Sequence, residues 1–193
     1  MDVLAICGSP RKNKTTHSLL EAVLAGTGRP YEVLWPADMK IGHCTGCQKC
    51  ETDTPGKCWQ DDDMTTAIEQ MFEAKSLIIA SPTYYGGVPG PLKNFIDRST
   101  PAVYAGKGDP GFSHGNRPFK GIPSIFLAIA GHAGHEITAD LLRLVLTFHE
   151  CNIVGEYVEA MGGIVLNKEE YLDIYNELFA LGKKMDEALS SSG

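Results

Sequence analysis

The sequence predicts a doubly wound α/β fold, a parallel sheet covered by helices on both faces. Three observations lead there. Short apolar runs alternate with stretches of helical periodicity along the 193 residues. The apolar runs are continuous rather than alternating with polar residues, as expected of strands buried on both sides. Five strand candidates, each followed by a helix, require right-handed crossovers and hence a parallel sheet.

Taken in order, residues 3–7 form a short apolar strand ending at Gly8. Residues 15–25 read as a helix with Leu19, Leu20, Val23 and Leu24 on one face. Residues 31–35 are a second strand, and 36–61 are irregular, polar and rich in cysteine. Residues 62–74 are helical, with Met64, Ile68, Met71 and Phe72 at helical spacing. Residues 76–80 are a buried strand, and 92–98 a short helix after a Gly/Pro turn. Residues 99–121 hold five Gly and three Pro and read as a long loop or lid. Residues 122–130 are a strand, apolar but for Ser124, and 136–149 a helix with apolar residues on most of its surface. Residues 153–158 are the last strand. Residues 168–189 close the chain as a helix, with a core stripe of Tyr171, Ile174, Leu178, Leu181, Met185 and Leu189. No repeat and no linker divides the sequence, so residues 1–193 are read as one domain.

A formal net charge of −7 and no Lys/Arg cluster beyond Arg11, Lys12 and Lys14 argue against a nucleic-acid partner. No apolar run approaches the ~20 residues that cross a bilayer. Residues 1–8 carry no basic leader, so the expectation is a soluble, cytoplasmic protein.

In a doubly wound fold, ligands bind beyond the carboxyl ends of the strands. The loop after the first strand, Gly8-Ser9-Pro10-Arg11-Lys12-Asn13-Lys14-Thr15-Thr16, precedes a helix. Free N–H groups and the positive dipole end there suit a phosphate, and Arg11 adds a planar cationic fork. The spacing fits neither a Walker A loop nor the dinucleotide glycine fingerprint, so a single phosphate is favoured over a plain strand–helix turn. After the third strand comes Ser81-Pro82-Thr83-Tyr84-Tyr85-Gly86-Gly87, and after the fourth Gly131-His132-Ala133-Gly134-His135-Glu136. Small residues let the backbone approach a flat ligand, a Tyr can stack on it, and either His can donate to a carbonyl. Together the loops would line a crevice for a flat cofactor with one phosphate tail.

The motifs Gly8-Ser9-Pro10-Arg11-Lys12 with Thr15-Thr16, and Ser81 to Gly86 running on to Pro91-Leu92-Lys93-Asn94-Phe95-Ile96-Asp97-Arg98, resemble the NADPH-dependent FMN reductase superfamily over roughly residues 1–160. The resemblance implies a flavodoxin-like three-layer sandwich with strand order 2-1-3-4-5. It assigns Ser9, Arg11, Lys14, Thr15 and Thr16 to the FMN phosphate. It assigns Pro82, Thr83, Tyr84, Tyr85 and Gly86, together with Gly131, His132, Gly134, His135 and Glu136, to the isoalloxazine ring. The chain departs from the pattern at Lys14 and Thr15, where relatives often carry a small residue and then Asn.

Six cysteines are present, and four fall within fifteen residues as Cys44-x2-Cys47-x2-Cys50-x7-Cys58. In a reducing compartment such a cluster reads as a metal or redox site. Three cysteines at two-residue gaps can wrap three corners of a cuboidal iron–sulfur cluster, with a looser fourth completing it. Gly46 and Gly56 would permit the tight backbone. A structural zinc and bare thiols remain as alternatives. The motif, followed by Asp62-Asp63-Met64, is similar to that of the iron–sulfur flavoproteins of anaerobic microbes. That resemblance implies a [4Fe–4S] cluster on Cys44, Cys47, Cys50 and Cys58 beside FMN, the two cofactors meeting across a subunit interface of a homodimer or homotetramer. The implied activity is oxidoreductase electron transfer between a one-electron donor such as ferredoxin and an acceptor. Two other functions stay open: an NAD(P)H-dependent FMN or quinone reductase without a cluster, and a non-enzymatic carrier or zinc/thiol sensor. Cys7 and Cys151 read as core thiols. Asp97 and Arg98 read as pinning their helix. Trp59 reads as a cluster shield or a core residue, and Tyr104 and Phe112 as flavin covers or loop packing.

Overall fold

The structure, a computed structural model, describes residues 1–105, 119–161 and 168–191, the side chains of 168–170 excepted. Five parallel strands form one sheet: β1 (Val3–Cys7), β2 (Tyr31–Leu34), β3 (Leu77–Pro82), β4 (Pro123–Ala130) and β5 (Asn152–Ala160), in the order β2-β1-β3-β4-β5. Around it lie α1 (Thr15–Thr27), α3 (Met64–Glu73), α4 (Gly90–Arg98), α6 (His135–Phe148) and α7 (Lys168–Ser191), with two single turns, α2 (Lys49–Thr52) and α5 (Pro101–Tyr104).

The sheet explains the continuous apolar runs. Side chains alternate across a strand, and here both sets are buried. Leu4, Ile6, Leu77, Ile79, Phe126 and Ala128 face α3, α4 and α6. Val3, Ala5, Cys7, Ile78, Ala80, Ile125, Leu127 and Ile129 face α1 and α7. The central β1, β3 and β4 are thus covered on both sides, whereas the edge strands β2 and β5 carry Glu32, Glu156 and Glu159, charges that discourage further pairing at an edge. Burial pushes the Cys7 thiol up to about 11, against a weaker pull from the Ser9 N–H. Burial likewise raises Cys151 to about 11, so both behave as inert packing thiols.

α1 and α7 lie side by side and touch backbone to backbone at two glycines. A Cβ built on Gly26 would stand 2.1 Å from the Phe179 carbonyl oxygen, and one on Gly182 would stand 2.1 Å from that of Val23.

Several expectations shift. The helix expected over 62–74 starts at Met64, whose N–H is accepted by Asp62 Oδ1 at 3.1 Å, while Asp62 Oδ2 and Asp63 Oδ2 accept the N–H groups of Gly42 and Lys40 in the chain before it. The cysteine-rich stretch contains α2, and the 99–121 stretch opens with α5; residues 106–118, including Phe112, lie outside the described residues. Leu178, Leu181 and Met185 hold the core stripe of α7, but Tyr171 is 40% exposed and belongs to the cleft described next. No helix among the described residues is long and apolar enough to cross a membrane.

Candidate functional site

The loops after β1, β3 and β4 meet in a cleft of about 620 Å³, within the range of small-molecule and cofactor pockets. From the first loop it is lined by Arg11, Asn13, Lys14, Thr15, Thr16 and Ser18, at the N-terminus of α1. Lys14 is the N-cap residue, in extended conformation, and its side chain makes no capping bond. The first N–H groups of the helix therefore keep no partner within it, and two cations stand beside them. Ser9 does not line the cleft. It is buried, its hydroxyl donates to the Arg11 carbonyl at 3.1 Å, and it accepts the Arg11 N–H at 3.2 Å. It thus sets the bend that presents Arg11. Lys12 turns aside to Asp38 and lies over the Trp35 ring.

Pro82, Thr83, Tyr84 and Gly131 complete the opposite wall, with Ile129, Ala130, Met161 and Tyr171. The second and third loops are tied to each other: the Thr83 N–H donates to the Ile129 carbonyl at 2.6 Å and the Thr138 hydroxyl to the Gly87 carbonyl at 3.2 Å. Gly134, at φ +85°, sits where a Cβ would stand 3.0 Å from the Gly86 Cα. Two buried polar atoms in these loops, Thr83 Oγ1 and His135 Nδ1, have no hydrogen-bond partner among the described residues. Buried polar groups are normally paired, so these are free to serve a ligand. Tyr85, at φ 52°, points fully into solvent, and His132 and Glu136 are exposed. Tyr85, Gly86, His132, Gly134, His135 and Glu136 therefore border the cleft's rim loops without lining its wall. Sequence reasoning gave Asn13 no role although it lies within the first loop, and it missed Ser18 and Met161, which carry no motif. It put Tyr171 in the core because the residue continues the α7 stripe.

The four cysteines line one cavity, together with Trp59, Gln60, Asp97, Arg98, Thr100 and Pro101. Among the described residues no group of three or more Cys, His, Asp or Glu is gathered as a ready ion site. Cys44 and Cys47 are exposed, Cys50 and Cys58 half-buried, and all are free thiols. The Lys49 backbone N–H holds the Cys47 thiol below its usual value, outweighing its slight desolvation. Burial, followed by the neighbouring thiols, raises Cys50.

The two ends of this loop are stitched together. The Gly42 N–H donates to Asp62 Oδ2 at 2.9 Å, the Lys40 N–H to Asp63 Oδ2 at 2.7 Å, and Gln60 Nε2 to the His43 carbonyl at 3.2 Å. Gly46 and Gly56 have φ of +65° and +81°, so the tight backbone expected of them is present. Gly56 also abuts Ala105, just after α5. That places α5 and Tyr104 against the cysteine loop rather than over the cleft. Trp59 is 56% exposed with the Lys49 ammonium over its ring, so it is no core residue. Asp97 pairs with Lys93 on the surface. Arg98 instead lies on the buried side of α4, in an ion pair of 2.7 Å with Asp62.

A parallel sheet of this order, with a helix N-terminus and two glycine loops at one end, defines a flavodoxin-like α/β protein. An NAD(P)H:quinone oxidoreductase from Methanothermobacter marburgensis has the same fold, with a TM-score of 0.69 at 18% identity over 96% of each chain. A Bacillus anthracis FMN-dependent NADH-azoreductase aligns equally well, at 0.69 and 15% identity over 96% of this chain and 100% of that one. Residues 1–163 match the family described as NADPH-dependent FMN reductase, and the chain belongs to that family. It is accordingly a flavin-dependent oxidoreductase. Its curated relatives are iron–sulfur flavoproteins. One from Methanocaldococcus jannaschii is 31% identical over 81% of this chain and 77% of its own length. One from Archaeoglobus fulgidus is 41% identical over 51% of this chain, a match that spans 49% of that protein.

Proposed function

We propose that the protein is an iron–sulfur flavoprotein that passes electrons between a one-electron donor such as ferredoxin and an acceptor. FMN would occupy the cleft and a [4Fe–4S] cluster would be held by Cys44, Cys47, Cys50 and Cys58. The observation that carries this reading is that all four thiols line one cavity, while a cleft of cofactor size opens elsewhere at the strand ends. FMN exchanges electrons singly or in pairs and an iron–sulfur cluster singly, so a protein holding both can join the two kinds of couple.

The chain's own residues would bind and orient. Arg11, Lys14 and the first N–H groups of α1, with Thr15 and Thr16, would neutralise the phosphate. Thr83 Oγ1 would meet a polar edge of the ring, and Tyr84, 43% exposed, would lie against it. Ile137, Leu144 and Phe148 leave an exposed apolar strip on α6, which supports self-association as a homodimer or homotetramer. The names of the curated relatives support the cluster.

The test is the content of iron, acid-labile sulfide, zinc and flavin in protein purified without oxygen. FMN with about four iron and four sulfide per chain is expected, with the iron lost on Cys47→Ala and the FMN kept. FMN without iron would overturn the cluster and leave an NAD(P)H-dependent FMN or quinone reductase. Zinc in place of iron would point to a sensor.

A further inference from the structure

Arg98 is a large charged side chain that is 1% exposed, and the electron-transfer route does not by itself require it. It follows Leu92 and Phe95 on the buried side of α4. Burying a guanidinium costs several kcal/mol unless it is paired and hydrogen-bonded, and this one is heavily bonded. Its Nη1 donates to Asp62 Oδ2 at 2.7 Å, to the Gly42 carbonyl at 2.9 Å and to Gln60 Oε1 at 3.2 Å. Its Nη2 donates to Asp62 Oδ1 at 2.9 Å. Gly42 precedes the first cysteine and Gln60 follows the last, so one cation ties both ends of the loop.

The same side chain lines the cavity of the four cysteines. Its buried Nε–H makes no full hydrogen bond among the described residues. An arginine keeps its charge at any ordinary pH, and Arg98 and Cys58 line both this cavity and the neighbouring one beside Phe72. The cavity therefore has a fixed positive charge in its wall, beside Cys58, with a donor to spare.

We propose that Arg98 is a positioning residue that closes the cysteine loop and, through its fixed charge beside Cys58, raises the reduction potential of the cluster bound there. The proposal rests on the cluster reading above. Reduction adds one electron from an external donor, breaks no bond and moves no proton. The assembly of cluster and four thiolates simply becomes more negative by one charge. A neighbouring cation favours that more negative state, and net charge and hydrogen bonds to sulfur are established determinants of cluster potential. Asp62 has the opposite influence, because its carboxylate neutralises part of the guanidinium charge.

The test is mediated redox titration of the anaerobically purified chain, following the electron-spin signal of the reduced cluster, with iron and sulfide assayed on each sample. Arg98→Gln is expected to move the midpoint negative by about 59 mV, a tenfold change in a one-electron equilibrium. Arg98→Lys is expected to recover part of the shift. Asp62→Asn is expected to move the midpoint positive. If Arg98→Gln loses its iron, Asp62→Asn decides alone: a positive shift supports the proposal and an unmoved midpoint overturns it. Loaded variants that keep the wild-type midpoint overturn this inference and leave the cluster reading standing. Wild-type protein without iron fails the cluster reading first, and this inference with it.

Discussion

Gly182→Ala is expected to lower the melting temperature by about 5 °C or more, although alanine is the better helix former. Two effects compete at this position. Replacing a glycine inside a helix by alanine stabilises by roughly 1 kcal/mol on propensity alone. Against that, the added methyl of Gly182 would stand 2.1 Å from the Val23 carbonyl oxygen and 2.8 Å from the Gly26 Cα. These obstacles are backbone atoms of α1, which cannot swing aside as a side chain would. Overpacking of this kind typically costs 1–3 kcal/mol and occasionally more, and here α7 must move away from α1 to relieve it. A rigid 2.1 Å clash belongs at the upper end of that range, so the balance is destabilising by about 2 kcal/mol, and each kcal/mol shifts the midpoint of a chain this size by about 2–4 °C. Gly26→Ala should behave alike, since its methyl meets the Phe179 carbonyl. A thermal melt followed by circular dichroism checks both. A rise in melting temperature for Gly182→Ala would mean that the two helices do not cross at their glycines.

Gly134→Val is expected to cost at least tenfold in FMN affinity while leaving the sheet in place. Gly134 has φ +85°, a conformation that a β-branched residue adopts only at a cost of roughly 1–3 kcal/mol. Its first added carbon would also press on the Gly86 Cα at 3.0 Å and on Thr83 Cγ2 at 3.3 Å. Both neighbours belong to the loop that supplies Thr83 and Tyr84 to the cleft, so the strain is relieved by parting the two loops. A loss of 1.4 kcal/mol is already a factor of ten in binding. Nothing buried in the sheet depends on this position, so the far-ultraviolet spectrum should be unchanged. Flavin fluorescence titration of the stripped protein measures the effect, and wild-type affinity in the variant would remove the two loops from the flavin site.

The sheet was legible because its central strands are buried on both faces, and continuous apolar runs such as 3–7 and 123–130 have no other simple home. Strand ends were less so. β3 runs on to Pro82 and β5 to Ala160, where hydrogen bonding continues after the apolar run has stopped. The cysteine cluster could be located because four thiols within fifteen residues stand out in the sequence, and all four line one cavity. Arg98 was read as pinning its helix, but to what could not be told, because its partner Asp62 lies far away in sequence. Tyr171 failed for the opposite reason, since it keeps the helical period in the first turn of α7, before the helix reaches the core. The glycine crossing of α1 and α7 was invisible, because nothing in either helix names the other. The cleft itself was half legible. Its loops follow from the topology, while Met161 and Ile129 enter only because β4 and β5 lie side by side.

The cysteine loop leaves the sheet's edge strand and places no residue between Gly42 and Asp61 in the buried core. Its closure by Asp62, Asp63, Gln60 and Arg98 is made wholly of the chain's own hydrogen bonds. The consequence concerns biogenesis. The buried sheet makes no use of the cysteine loop, so the fold does not depend on what the four thiols bind, and two of them, Cys44 and Cys47, are exposed at the surface. If the four thiols hold the cluster proposed above, a chain made under iron starvation is expected to be folded, with the far-ultraviolet spectrum and melting temperature of the sheet retained.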